Sequence, residues 1–148
     1  MPYSVLDVEQ LLLAKLQEAE GIGVRTIREY QGELEQDLNS IVAQWPALFP
    51  AYVESSFDET QRRTFENQTW DLFVGDLSYK PRESRRGGAN NPGTYAMLSW
   101  LHANLRKVVL ASGLMPVRIT GQEALAYSDM HGISLYVVRL AIGQHYND

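Results

Sequence analysis

Ile133-Ser-Leu-Tyr-Val-Val-Arg-Leu-Ala-Ile-Gly-Gln144 is the stretch that decides the fold. Leu135 and Val137 alternate with Tyr136, Val138, Leu140 and Ile142, so both faces of an extended chain here are apolar. A strand that is apolar on both faces belongs in the middle of a sheet. Its partners are sought first in other β-rich runs. Ala47 to Phe57 and Gln61 to Leu77 read as two extended segments that pair as a hairpin through a turn at Asp58, Glu59 and Thr60. Within the second, Trp70, Leu72 and Val74 share one face. Pro50 removes a ladder donor and therefore requires an edge or a bulge. Val117 to Tyr127 supplies another strand, with Gly121 at a bend or bulge. Val24 to Tyr30 supplies a short one suited to an edge.

Helical periodicity occupies the remainder. Val5, Val8, Leu12 and Leu16 form one stripe of a helix expected over Val5–Glu20, with Ser4 and Asp7 as a capping pair and Gly21 and Gly23 as terminators. Leu34, Leu38, Ile41, Val42 and Trp45 predict a second helix ended by Pro46. Leu98, Leu101, Leu105, Val108 and Ser112 predict a third over Thr94–Ser112, capped by Gly113. The order α-β-α-β-β-α-β-β implies an α+β domain. Its sheet is antiparallel or mixed, of four to five strands, with two to three helices packed on it. At 148 residues the chain reads as one domain, 1–148.

Between the long hairpin and the third helix lies Ser78-Tyr-Lys-Pro-Arg-Glu-Ser-Arg-Arg-Gly-Gly-Ala-Asn-Asn-Pro-Gly93, with almost no large apolar side chain. Its composition predicts an extended, structureless arm over 78–93. It carries four bases and one acid, net +3, while the rest of the chain carries nine bases and seventeen acids, net −8. Tyr79, Lys80, Arg82, Arg85 and Arg86 are the expected contact residues of an arm that reaches another protein chain; a surface loop without a role is the alternative. Glu33, Glu35 and Asp37, crowded at the start of the second helix, are the candidate acidic counter-surface, although acids there also suit the helix dipole. The acidic body argues against a broad nucleic-acid face.

Signals for chemistry are weak. The absence of cysteine removes disulfides, thiolate metal sites and cysteine nucleophiles, and fits a reducing compartment. His102, His131 and His145 show no metal-ligand spacing. Gly88-Ala-Asn-Asn-Pro-Gly-Thr94 imitates a phosphate loop but lacks its lysine, and Gly21-Ile-Gly23 follows a helix where a dinucleotide loop follows a strand. Glu54, Asp58 and Glu59 carry carboxylates that nothing marks as buried or paired. No catalytic residue, cofactor or metal is expected. No apolar run is long enough to cross a membrane as a helix, and the first residues lack the basic start of a secretory signal. A soluble, intracellular protein is the expectation.

Several short motifs, taken in order, resemble a family of Mu-like bacteriophage proteins that look like tail terminators. They are Asp7-Val8-Glu9, Tyr30-Gln31-Gly32-Glu33-Leu34, Pro46-Ala47, Arg86-Gly87-Gly88, Gly93-Thr94-Tyr95 and the final apolar strand. Trp45 and Pro50 depart from the pattern by making the second strand irregular. The resemblance implies an α+β subunit of a hexameric homo-oligomeric ring. That ring sits on the completed tail tube in the neck of the virion, stops tube polymerisation and presents a surface for head attachment. Its implied partners are copies of itself, the tail tube protein, a head connector or neck protein and the tail sheath, with DNA only passing through the lumen. A monomeric head–tail connector is the alternative it leaves open.

Overall fold

The computed structural model describes residues 2–32, 44–78, 80, 82–128 and 132–147. The elements are α1 (Val5–Leu16), a 3-10 helix (Gln17–Ile22), β1 (Thr26–Ile27), β2 (Ala47–Glu59), β3 (Arg63–Leu77), α2 (Glu83–Arg86), α3 (Thr94–Asn104), β4 (Arg118–Ser128) and β5 (Ile133–Asn147). The five strands form one sheet in the order β1-β2-β3-β5-β4. All neighbours are antiparallel except β1 and β2, so the sheet is mixed and the class is α+β.

The doubly apolar stretch does lie inside the sheet. β5 pairs with β3 without interruption from Arg63↔Asn147 to Leu77↔Ile133, and with β4 on its other side. Alternation assigns its side chains to two layers. On one face Val138, Leu140 and Ile142 meet Leu48, Trp70, Leu72 and Val74. Val8, Leu12 and Leu16 of α1 and Met97, Leu98 and Leu101 of α3 close that layer. On the other face Leu135 joins Trp45, Ala47 and Phe49 in a smaller cluster. Trp45 lies flat on Gly75, where a Cβ would stand 2.8 Å from the indole, so this position admits only glycine without repacking.

Local signals explain the ends of the elements. Ser4 and Asp7 form a reciprocal capping box, Asp7 N–H to Ser4 Oγ at 3.1 Å and Ser4 N–H to Asp7 Oδ2 at 2.9 Å. Those bonds hold the Asp7 carboxyl below the usual range. After α1 tightens into the 3-10 turn, Gly23 stops it in the left-handed region at φ 97°. Pro50 sits where β1 leaves β2, and its carbonyl accepts from Tyr30 N–H at 2.9 Å. Gly121 lies at a register shift in β4, as its position between apolar runs predicts.

Two expectations are corrected. The third helix ends at Asn104 rather than Ser112: Lys107 turns left-handed at φ 68°, and Lys107 and Val108 bond instead with Val117. The β-branched Val108-Val109 pair favours that extended lead into β4 over another helical turn. Asp58 and Glu59 belong to β2, and the hairpin turns at residues 60–62. The predicted second helix falls mostly on residues outside the described ones. Leu140 is fully buried between β3 and β4. Leu140→Ala is expected to cost about 2–5 kcal/mol, read as a lower urea midpoint at unchanged slope.

Candidate assembly surface

The basic segment after β3 is not an extended arm. Among its described residues a one-turn helix, α2, spans Glu83–Arg86, and Ser84 within it is buried. The order comes from backbone and short polar side chains, which hydrophobicity does not register. Gly87 N–H donates to Glu83 O at 2.8 Å and Gly88 N–H to Asn91 O at 3.0 Å. Ser78 Oγ donates to Glu83 Oε2 at 3.0 Å.

Asp76 joins this folded loop to the sheet. Its carboxylate has no exposed surface and no basic partner among the described residues; it accepts only neutral N–H groups. Oδ2 accepts from Gly93 N–H at 2.6 Å and Asn91 Nδ2 at 3.0 Å, and Oδ1 from Leu77 N–H at 2.7 Å. Asn91 Nδ2 donates also to Glu83 O at 2.7 Å, linking the carboxylate to α2. Gly93 is the N-cap of α3, so the acid stands at the positive end of that helix. The place a phosphate would take in a phosphate loop is thus filled by the chain's own carboxylate. Gly93 has φ 81°, and a Cβ there would collide with Gly87 N. Burial pushes the Asp76 carboxyl above its ordinary 3.8, with the bonds from Asn91, Leu77 and Gly93 pulling the other way.

Folding the loop turns its cations outward. Lys80, Arg82 and Arg86 are exposed, whereas Arg85 is half-buried. Arg82, the N-cap of α2, holds φ 68°, a region non-glycine residues seldom occupy. Tyr79 and the acidic trio Glu33, Glu35 and Asp37 lie outside the described residues. Sequence reasoning singled out the charges but missed Asp76 and Asn91, which organise them. The available signal was an aspartate closing an apolar run with no base beside it.

The described residues hold another buried acid, Glu66 in β3. Burial favours its neutral form, but bonds from Ser55 Oγ (2.7 Å), Gln144 Nε2 (2.8 Å) and Tyr146 OH (2.8 Å) outweigh that and lower its pKa overall. Burial and this carboxylate push Tyr146 up to about 12. Gln144 also clasps the backbone of Tyr3, so the cluster ties the amino-terminal segment to the sheet. His102 bonds Gln122 at 2.8 Å, and His145 packs against Phe65 with the rings tilted by 57°. Among the described residues no group of three or more His, Cys, Asp or Glu is placed to hold a metal ion.

In this α+β domain an internal carboxylate anchors the charged loop at the surface. Residues 4–139 match the family described as Bacteriophage Mu, Gp37, and the chain belongs to that family of bacteriophage proteins. The Mu-like resemblance stated from the residues is borne out at that level. Among solved structures, a chain of the "Virion of native gene transfer agent (GTA) particle" has a similar fold. Its TM-score is 0.52 at 12% sequence identity, over 94% of this chain and 92% of that one. No curated protein matches the chain.

Asp76→Asn replaces one carboxylate oxygen with an N–H₂ group, which then faces either Leu77 N–H or the Gly93 N–H and Asn91 Nδ2 donors. Trypsin cleavage after Arg82 and Arg86 is expected to quicken about tenfold as the loop opens. The pH dependence has a definite sign. A carboxyl whose folded pKa is raised contributes stability that is complete below about pH 4 and is lost as pH rises through the raised value. The difference in urea midpoint between wild type and Asp76→Asn is therefore expected to move in favour of wild type on acidification.

Proposed function

We propose that this protein is a virion structural component of the tail-terminator type. In this reading it forms a homo-oligomeric ring, a hexamer, that caps the tail tube, halts its polymerisation and offers the surface for head attachment. The observation that carries the reading is membership of the Mu Gp37 family across residues 4–139. The fold supports it, because a chain of similar fold comes from a gene transfer agent virion. Charge supports it too. A ring of identical copies needs two different patches that meet heterologously, and a +3 loop on a −8 body supplies unlike surfaces. The contact residues in this reading are Tyr79, Lys80, Arg82, Arg85 and Arg86, with tube and connector proteins on the two ring faces.

A monomeric head–tail connector is the second reading. What favours it is that the basic loop is stabilised on its own protomer, through Asp76 and Asn91, without a neighbour. Mass photometry over a range of concentrations separates the two. Rings of about six copies are expected, and a monomer at every concentration would favour the connector. Replacing Arg82, Arg85 and Arg86 with Gln is expected to raise the concentration for half-assembly about tenfold while leaving the thermal midpoint of the subunit unchanged. An oligomer distribution identical to wild type at all salt concentrations counts against the loop as a contact.

A further inference from the structure

The basic loop cannot use an acidic surface at the far end of its own sheet. It follows Leu77, at one end of β3, whereas the β2–β3 turn precedes Arg63 at the other. Fifteen residues of strand at about 3.3 Å each separate them by roughly 45 Å. Any contact between the loop and Asp58 or Glu59 at that far end is therefore between copies, whereas Tyr52, opposite Trp70, lies about half as far from Leu77.

The far end has the features of a receptor. β1 accompanies β2 only at Ala47 and Leu48, with a last bond at Pro50. Beyond Pro50 no described strand pairs with the outer edge of β2. Tyr52, Val53 and Phe57 are 39%, 49% and 57% exposed. Glu54, Asp58 and Glu59 are exposed on the same strand, and none has an ion-pair partner among the described residues. The opposite edge of the sheet, β4, is interrupted by register shifts at Ile119/Gly121 and Ala124/Ala126, a device that discourages pairing. Beyond its shift at Tyr52/Glu54, β2 runs regularly to Glu59.

We infer that the outer edge of β2 from Tyr52 to Glu59 is the docking surface for the basic loop of a second copy of this chain. The inference rests on the ring reading and names its counter-surface. The chemistry is that of guanidinium recognition. Carboxylates accept the planar fork, and adjacent aromatic rings accept its face. Phe57 stands edge-on to Tyr146, with centroids 6.3 Å apart, and leaves more than half of itself open on the face it shares with Glu59, while Glu54 and Asp58 line the other face of the same edge. Lys80, Arg82 and Arg86 are the exposed cations that reach it, their aliphatic stems covering Val53 and Tyr52. Arg62 and Arg63 stand past Glu59, at the turn and the start of β3, so like-charge repulsion confines the incoming loop to the β2 side. One copy presents its loop end and the next its hairpin end, which is the heterologous geometry a ring requires.

The chain has no cysteine, so engineered cysteines report on this contact directly. Asp58→Cys and Arg82→Cys proteins are mixed and treated with a short bis-maleimide. A cross-linked dimer found only in the mixture, and suppressed by high salt, is expected. The triple variant Glu54→Gln/Asp58→Asn/Glu59→Gln is expected to need about tenfold more protein for half-assembly. Reversing the acids to Lys is expected to abolish rings, and reversing Lys80, Arg82 and Arg86 to Glu in the same chain to restore them. Wild-type rings without the mixed cross-link, or rings indifferent to the triple substitution, overturn the inference and leave the ring reading standing. A wild-type protein that never self-associates overturns both.

Discussion

The uninterrupted antiparallel pairing of β3 with β5 is the constraint on which the rest of this molecule depends. Fifteen consecutive residue pairs join the two strands, and their side chains feed both layers of the core. Because side chains alternate strictly, a one-residue slip would exchange the Leu140/Trp70 layer with the Arg139/Asp71 layer. The cost of burying Arg139 and Asp71 under two helices holds the register. On the other face those two instead form an ion-pair chain with Glu123, Arg139 Nη2 lying 2.8 Å from Glu123 and Nε 3.8 Å from Asp71. All three are partly exposed there, so this chain contributes little to stability and much to distinguishing the faces.

The same pairing sets the distance between the ends of the molecule. β3 delivers the chain from the hairpin to the basic loop, and its length makes those regions mutually inaccessible within one copy. A long, stiff sheet with unlike ends is suited to self-assembly, since complementary groups cannot satisfy one another internally. The projecting half of β2 shows the cost. Among the described residues, apolar side chains there are exposed and no strand pairs with the outer edge, a liability unless another surface covers them.

Asp76 illustrates how a chain rich in Gly, Asn, Ser and Arg can be ordered without a hydrophobic anchor. An ionised carboxylate in a buried site needs donors: the loop coils back to provide Gly93 N–H and Asn91 Nδ2, and Leu77 N–H at the end of β3 supplies the third. The loop is held at its two ends and its cations are left on the outside. The acid is thereby a positioning group for Lys80, Arg82 and Arg86, although it touches none of them.

Much of the fold was legible in the residues, because periodicity and capping are local. The central strand at 133–144, the Trp70/Leu72/Val74 face, the Ser4–Asp7 capping box, the edge requirement of Pro50 and the bulge at Gly121 all follow from spacing and backbone chemistry, and the structure agrees with each. What only the tertiary structure decided were features that depend on groups distant in sequence. The basic segment read as unstructured because composition records apolar area, whereas its order comes from hydrogen bonds to a buried carboxylate fifteen residues from Asn91. The third helix read too long because periodicity does not include the competing pull of Val117 on Lys107 and Val108. Glu54, Asp58 and Glu59 read as ordinary surface acids. Only the three-dimensional course of β2, past the last residue that β1 pairs with, shows them on an edge that no described strand covers, at the other end of the sheet from the cations.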